Sequence, residues 1–214
     1  MKKLFLLFCL CPMFSFSQMT AEMVLAKANE YHDSNKEWAS LIVTFLFTET
    51  RPDGSESSST FELNNATGFA KISRGDDKVY EVSGEEAKVL KGDDGKERAL
   101  MMRNYYLYLW GLPMKLYDEG TPMDGEVGEE IVNEIECYVL RVPYEKDVWY
   151  FSIDKQTGRM VQYKFYKDED AGKGELITLE GEMSIGDMKI PKNRSWYTLP
   201  EMKYLGTDIL SGVE

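Results

Sequence analysis

The sequence predicts a mostly-β fold of the α+β class. A strongly curved antiparallel sheet of about ten or eleven strands is expected, with an N-terminal helix and a mid-chain helical plug covering its concave face. Three observations predict it. Short runs of β-branched and aromatic residues recur along the chain, separated by turn clusters such as "RPDG", "RGDD", "SGEE", "GDDGK" and "KQTG". In the second half these runs alternate apolar with polar residues, as strands do when one face is buried and the other wet. One helical stripe stands near the start, and one apolar segment, "LMMRNYYLYLWGLPMKLY" (Leu100 to Tyr117), interrupts the strands.

The chain opens on the basic "MKK", the apolar run "LFLLFCLCPMF" and the small residues Ser15 and Ser17. That order reads as a cleaved export signal over 1–17, too short to span a membrane. A lipid anchor needs a cysteine preceded by small residues, but Cys9 follows Phe8 and Cys11 follows Leu10. The rest, 18–214, reads as a single domain, since no linker or repeat divides it.

"TAEMVLAKANEYH" comes next as a helix. Thr20 can cap it, and Val24, Leu25, Ala28, Tyr31 and His32 share a face. "WASLIVTFLFTET" reads as the first strand, with Leu41, Val43, Phe45 and Phe47 on one face and Ile42 and Leu46 on the other. Apolar residues on both sides predict a strand covered on both faces over part of its length. "SESSSTFEL", "TGFAKIS", "KVYEV" and "AKVLK" continue the meander. After an interruption over 97–121, residues 130–143 read as one strand. Then come "DVWYFSID", with Trp149, Phe151 and Ile153 on one face, and "RMVQYKFYK", with Val161, Tyr163 and Phe165 on one face. "ELITLEGEM", "MKIPKNRSWYTL" and "KYLGTDIL" close the chain.

With 214 residues, 43% of them hydrophobic, the chain is long enough for one sizeable core. Loss of Lys2 and Lys3 with the leader takes the basic count from 25 to 23 against 37 acidic residues, a net charge near −14. Such a surface repels phosphate backbones, which excludes nucleic acid as a partner class. Cys137 is the one cysteine beyond the leader, so no internal disulfide is expected; it sits in the strand-like "EIECYVLRV" and reads as a buried structural thiol. His32 is the one histidine, and any triad-type catalysis would have to use it. Its place on the flank of an apolar stripe predicts a structural role, with a hydrogen bond to a neighbouring turn. Neither a zinc-type His/Cys cluster nor a phosphate-binding or dinucleotide loop is present. Asp168 and Asp170 lack calcium-loop spacing. "NAT" at Asn65 and "NRS" at Asn193 match a glycosylation acceptor pattern that has meaning only in a eukaryotic secretory pathway. No metal, cofactor or catalytic residue is therefore expected. A hydrolase using two cleft carboxylates stays as an alternative, with no particular pair singled out among the acids.

The apolar segment carries the functional reading. Arg103 and Asn104 interrupt one end, and Gly111 and Pro113 break the other, so it is no membrane span. It is either a plain core helix or the lid of an apolar pocket. From Tyr105 to Leu112 it is apolar almost all round, unlike an amphipathic surface helix. Its Tyr and Trp residues carry polar tips, and Met adapts to varied apolar partners.

Several stretches in this order resemble the lipoprotein-sorting carrier superfamily of Gram-negative bacteria, the LolA/LolB-like proteins: "YHDSNKEW", "YYLYLWGLPMKL", "WYFSIDKQTGRMVQYKFY", "IPKNRSWY" and "YLGTDIL". The resemblance is closest to a group of uncharacterised exported bacterial proteins within it. It implies an open antiparallel half-barrel with helices on its concave face, where carriers shield acyl chains during transit through the periplasm. No short motif of those carriers marks ligand residues, so the site residues come from alternation and from the apolar segment. The expected lid is Met101, Met102, Tyr105, Tyr106, Tyr108, Leu109, Trp110 and Met114. The expected wall is Phe45, Phe47, Trp149, Phe151, Tyr163 and Phe165. The expected function is periplasmic or exported binding of an acyl chain or lipoprotein lipid, without catalysis. The competing expectation is a cell-envelope interaction module whose core is filled by its own helices and whose partner is another envelope protein.

Overall fold

A computed structural model describes residues 19–214; the export signal expected at 1–17 lies outside the described residues. Helix α1 (Ala21–Asp33) starts where the Thr20 hydroxyl accepts a hydrogen bond from Met23 N at 3.3 Å, as the capping position demands. It ends at Asp33, whose carboxylate accepts from Glu37 N (2.7 Å) and Trp38 N (3.0 Å) and so starts a 3₁₀ turn (Glu37–Ser40). Trp38, expected in the first strand, belongs to that turn and is buried.

Among the described residues twelve antiparallel strands follow: β1 (Ile42–Thr50), β2 (Glu56–Asn64), β3 (Phe69–Arg74), β4 (Lys78–Ser83), β5 (Glu86–Lys91), β6 (Val127–Val132), β7 (Ile135–Pro143), β8 (Val148–Asp154), β9 (Met160–Asp168), β10 (Lys173–Ile185), β11 (Met188–Leu199) and β12 (Tyr204–Val213). Between β5 and β6 lie helix α2 (Lys96–Trp110) and a second 3₁₀ turn (Met114–Tyr117). The strand count exceeds the expected ten or eleven because residues 130–143 are not one strand. Asn133 (φ 49°) and Glu134 (φ 68°) form a tight hairpin turn that separates β6 from β7. Glycine usually marks such positive-φ turns, and neither residue is glycine.

The spatial order is β5-β4-β3-β2-β1-β12-β11-β10-β9-β8-β7-β6. Every neighbouring pair is a sequential hairpin except β1–β12, where the two ends of the chain meet. The sheet does not close: β5 and β6 are free edges, so it is a curved half-barrel rather than a barrel. Residues 92–126 link β5 to β6 and carry α2, which packs on the concave face.

Alternation places the core. Val43, Phe45 and Phe47 of β1 are buried, and so are Phe61 and Leu63 of β2, Phe151 and Ile153 of β8, and Tyr163 and Phe165 of β9. All belong to one apolar cluster with α1 and α2. The expectation that β1 is covered on both faces fails at its start. Ile42 is 72% exposed, because both helices lie on the other side of the sheet. His32 anchors α1 as expected of a structural histidine. Its Nδ1 lies 2.6 Å from Lys189 O, and its Nε2 accepts from Met160 N at 3.0 Å. The ring is therefore neutral with its proton on Nδ1, and it ties the helix to β9 and β11.

Candidate binding site

Helix α2 packs against β3, β4 and β5 and buries Ala99, Met102, Tyr106, Leu109 and Trp110. The spacing of three, four, three and one places them on one helical face. Met101 is off that face and 47% exposed, so the first residue of the expected lid does not meet the wall. Tyr105 and Tyr108 flank the stripe and are half-buried. Met114 is buried in the 3₁₀ turn that follows.

The six residues expected as one wall fall into two groups, and different residues of α2 meet each. On the β1 side the Phe47 ring lies 4.5 Å from Trp110 and 5.3 Å from Tyr106, centroid to centroid, and Phe45 stacks on Phe47 at 6.1 Å. On the β8–β9 side Trp149 stacks on Phe165 (4.7 Å), Tyr163 (5.8 Å) and Phe151 (6.0 Å), and the Tyr108 edge meets Trp149 at 5.5 Å. Centroid spacings of this kind are those of favourable aromatic pairs. The space beneath α2 is filled: Trp110 and Tyr106 are each only 1% exposed.

Gly111 lets the helix end there. A Cβ at this position would sit 2.4 Å from Trp38 Cζ2 and 2.6 Å from Leu107 O, so only glycine fits between them. Two clefts open on either side of the turn that follows. One of about 710 Å³ lies between α1 and the turn, over Trp38, Met114 and Tyr117. The other, of about 410 Å³, runs over Tyr108, Tyr144 and Trp149.

Polar groups fix the plug, and the motif reading missed them. The Tyr106 and Ser59 hydroxyls both donate to Glu49 Oε1 at 2.9 Å, while Arg74 (3.0 Å) and Arg51 (2.9 Å) reach Glu49 Oε2. Burial pushes the Glu49 carboxyl up, but Arg74 and the two hydroxyls together hold it below its ordinary value. Tyr105 Oη and Trp196 Nε1 both donate to Asp208 Oδ2 at 3.0 Å. Burial, reinforced by the charge of Glu49, raises the Asp208 carboxyl. Arg194 lies under the end of α2 with its guanidinium 3.5 Å over the Trp110 ring. Parity alone marks these residues. Glu49 continues the inward register of Val43, Phe45 and Phe47; Arg194 that of Met188 and Ile190; and Asp208 that of Leu210.

His32 and Cys137 are both held in the packed interior. Both nitrogens of His32 are engaged with backbone, and burial lowers its pKa to about 4. Cys137 is buried, and burial pushes its thiol up to about 11. Among the described residues no group of three or more His, Cys, Asp or Glu side chains converges to hold a metal ion, and no helix is long and apolar enough to cross a membrane.

An open antiparallel half-barrel with a helical plug on its concave face is the LolA-like fold. The chain belongs to a family of unknown function, DUF6503, which it matches over residues 2–213. No curated protein matches it. Among solved structures it is similar to a LolA superfamily protein from Nitrosomonas europaea, at 14% identity over 92% of this chain and 94% of that one, with a TM-score of 0.50. A DUF1329 family protein from Desulfovibrio piger is similar at 11% identity over 90% and 92%, TM-score 0.53. A domain assigned to outer membrane lipoprotein sorting in Vibrio parahaemolyticus is similar at 14% identity over 89% and 91%, TM-score 0.50. These likenesses establish the fold.

Proposed function

We propose that the chain is an exported, non-enzymatic binding protein for a long acyl chain, which takes the concave face of the half-barrel when α2 lifts. Residues 18–214 act as one domain in this reading, supported by the single sheet that joins both ends of the chain. The observation that carries the proposal is topological. The plug lies on the link between the two free edges and takes no part in the sheet, so it can leave without breaking a ladder hydrogen bond. Glu49 would lose the Tyr106 hydroxyl but keep Arg74, Arg51 and Ser59, so opening strands no buried charge there.

Magnitudes limit the ligand. Exposing Met102, Tyr106, Leu109 and Trp110 costs roughly 6–12 kcal/mol at about 1.5–3 kcal/mol per fully buried side chain. At about 0.8 kcal/mol per buried methylene, roughly 8–15 methylenes offset that. A short apolar molecule leaves the plug shut, whereas a long acyl chain opens it. The occupied His32 ring and the buried, high-pKa Cys137 support the absence of catalysis. The fold and the basic-then-apolar leader support export to the periplasm.

One observation favours the second reading, a self-filled envelope interaction module: Tyr106 and Trp110 are as buried as any core residue. Titration with saturated fatty acids of increasing length, read by calorimetry, separates the two. Binding that begins only at long chains is the expected result. No binding at any length overturns the acyl-chain reading and leaves the module.

A further inference from the structure

Building on the acyl-chain reading, we infer that the ligand carries a carboxylate and that Arg194, assisted by Tyr163, binds it. Arg194 is fully buried in β11. Its Nη1 donates to Pro191 O at 2.7 Å and its Nη2 to Leu109 O, in α2, at 3.1 Å. Its Nε has no hydrogen-bond partner among the described residues. Tyr163 Oη lies beside the guanidinium and interacts with it, though not in well-aligned hydrogen-bonding geometry. No carboxylate among the described residues lies within ion-pairing distance of Arg194. Asp208 faces it across the β11–β12 ladder but is hydrogen-bonded to Tyr105 and Trp196.

A buried guanidinium with two carbonyls, one ring face and an idle donor is a poor device for stability. An apolar side chain of similar volume would serve the core better. Its geometry fits another purpose. Nε and Nη2 lie on the same edge of the guanidinium, the edge that grips a carboxylate with two parallel hydrogen bonds. In the closed protein Nη2 is held by the Leu109 carbonyl and Trp110 covers the plane. Both belong to α2. Lifting α2 frees Nη2 beside the idle Nε, and the Tyr163 hydroxyl becomes a third donor. The wall then supplies the path. Tyr163 stacks on Trp149, and Trp149 lines the cleft open to solvent. A carboxylate at Arg194 would place its chain along Tyr163, Phe165 and Trp149 towards that mouth.

The test compares palmitic acid with its methyl ester and with a sixteen-carbon alkyl phosphate, by calorimetry at neutral pH, on the wild-type chain and on Arg194→Met and Tyr163→Phe. The acid is expected to bind at least about tenfold tighter than the ester, the advantage of a charge-assisted bidentate pair. Arg194→Met should abolish that preference, read as the ratio of acid to ester affinity within each variant. Tyr163→Phe, which removes a hydroxyl whose neighbour is the guanidinium itself, should reduce the preference several-fold. It carries the test if Arg194→Met does not fold. Equal affinity for acid and ester, or a preference unchanged in the variants, overturns the inference and leaves acyl binding standing. A tighter alkyl phosphate overturns the carboxylate assignment. Binding of none of the three removes the acyl-chain reading along with it.

Discussion

Tyr106 Oη donates to Glu49 Oε1 at 2.9 Å, joining the plug helix to the first strand of the sheet through a bond that is buried at both ends. Removing the hydroxyl with Tyr106→Phe leaves the ring stacked on Phe47 and Phe61 but takes one donor from a buried carboxylate. A loss of about 1–3 kcal/mol in urea unfolding is expected. An unchanged midpoint would show that the bond does not hold the plug.

Gly111→Ala should destabilise more than a surface change does. The added methyl meets the Trp38 ring at 2.4 Å and the Leu107 carbonyl at 2.6 Å, so the helix end or the 3₁₀ turn must move. Overpacking of this kind costs about 1–3 kcal/mol. The check is the thermal midpoint of the variant against Gly120→Ala. Gly120 has open space around its Cβ position and a positive φ, so that variant carries backbone strain without steric contact, whereas Gly111→Ala carries steric contact without that strain.

Acid should weaken the fold through His32. Burial is the main cause of its depressed pKa, about 4 against an ordinary 6.5, and the Lys189 carbonyl only partly opposes it. Between those two values the unfolded chain binds a proton that the folded chain does not. Stability therefore falls as pH drops from about 6.5 towards 4, by up to roughly 3 kcal/mol. Asp208, whose carboxyl is raised, works in the opposite direction in acid, so the difference between wild type and His32→Gln isolates the histidine. If the two unfolding profiles run parallel across that window, His32 is not the source.

Cys137 should resist thiol reagents in the native state. It is buried and its thiol is pushed up to about 11, so little thiolate is present and none of it is accessible. Labelling is expected only in denaturant. Stoichiometric reaction of the native chain at neutral pH would contradict the packing around β7.

Much of the fold was legible along the chain because strand parity is a local property. The alternation of Val43, Phe45 and Phe47, and of Tyr163 and Phe165, named the inward face before any contact was known. The hairpin at Asn133–Glu134 escaped because its positive φ values fall on residues without glycine's signal. Glu49, Arg194 and Asp208 escaped for another reason. Their inward parity was readable, but an inward charge at a strand position looks like a surface residue until its partners are known.

The sequence by itself determined a one-sided antiparallel sheet, a capped first helix and an apolar segment with no strand to join, because periodicity and capping act over a few residues. Only the tertiary structure decided that β5 and β6 are the free edges, which residues of α2 face the concave side, and that a buried arginine lies beneath the helix. Those outcomes depend on β1 pairing with β12 and on side chains far apart in the chain meeting across the concave face. Such contacts are set by curvature and packing, which no local pattern records.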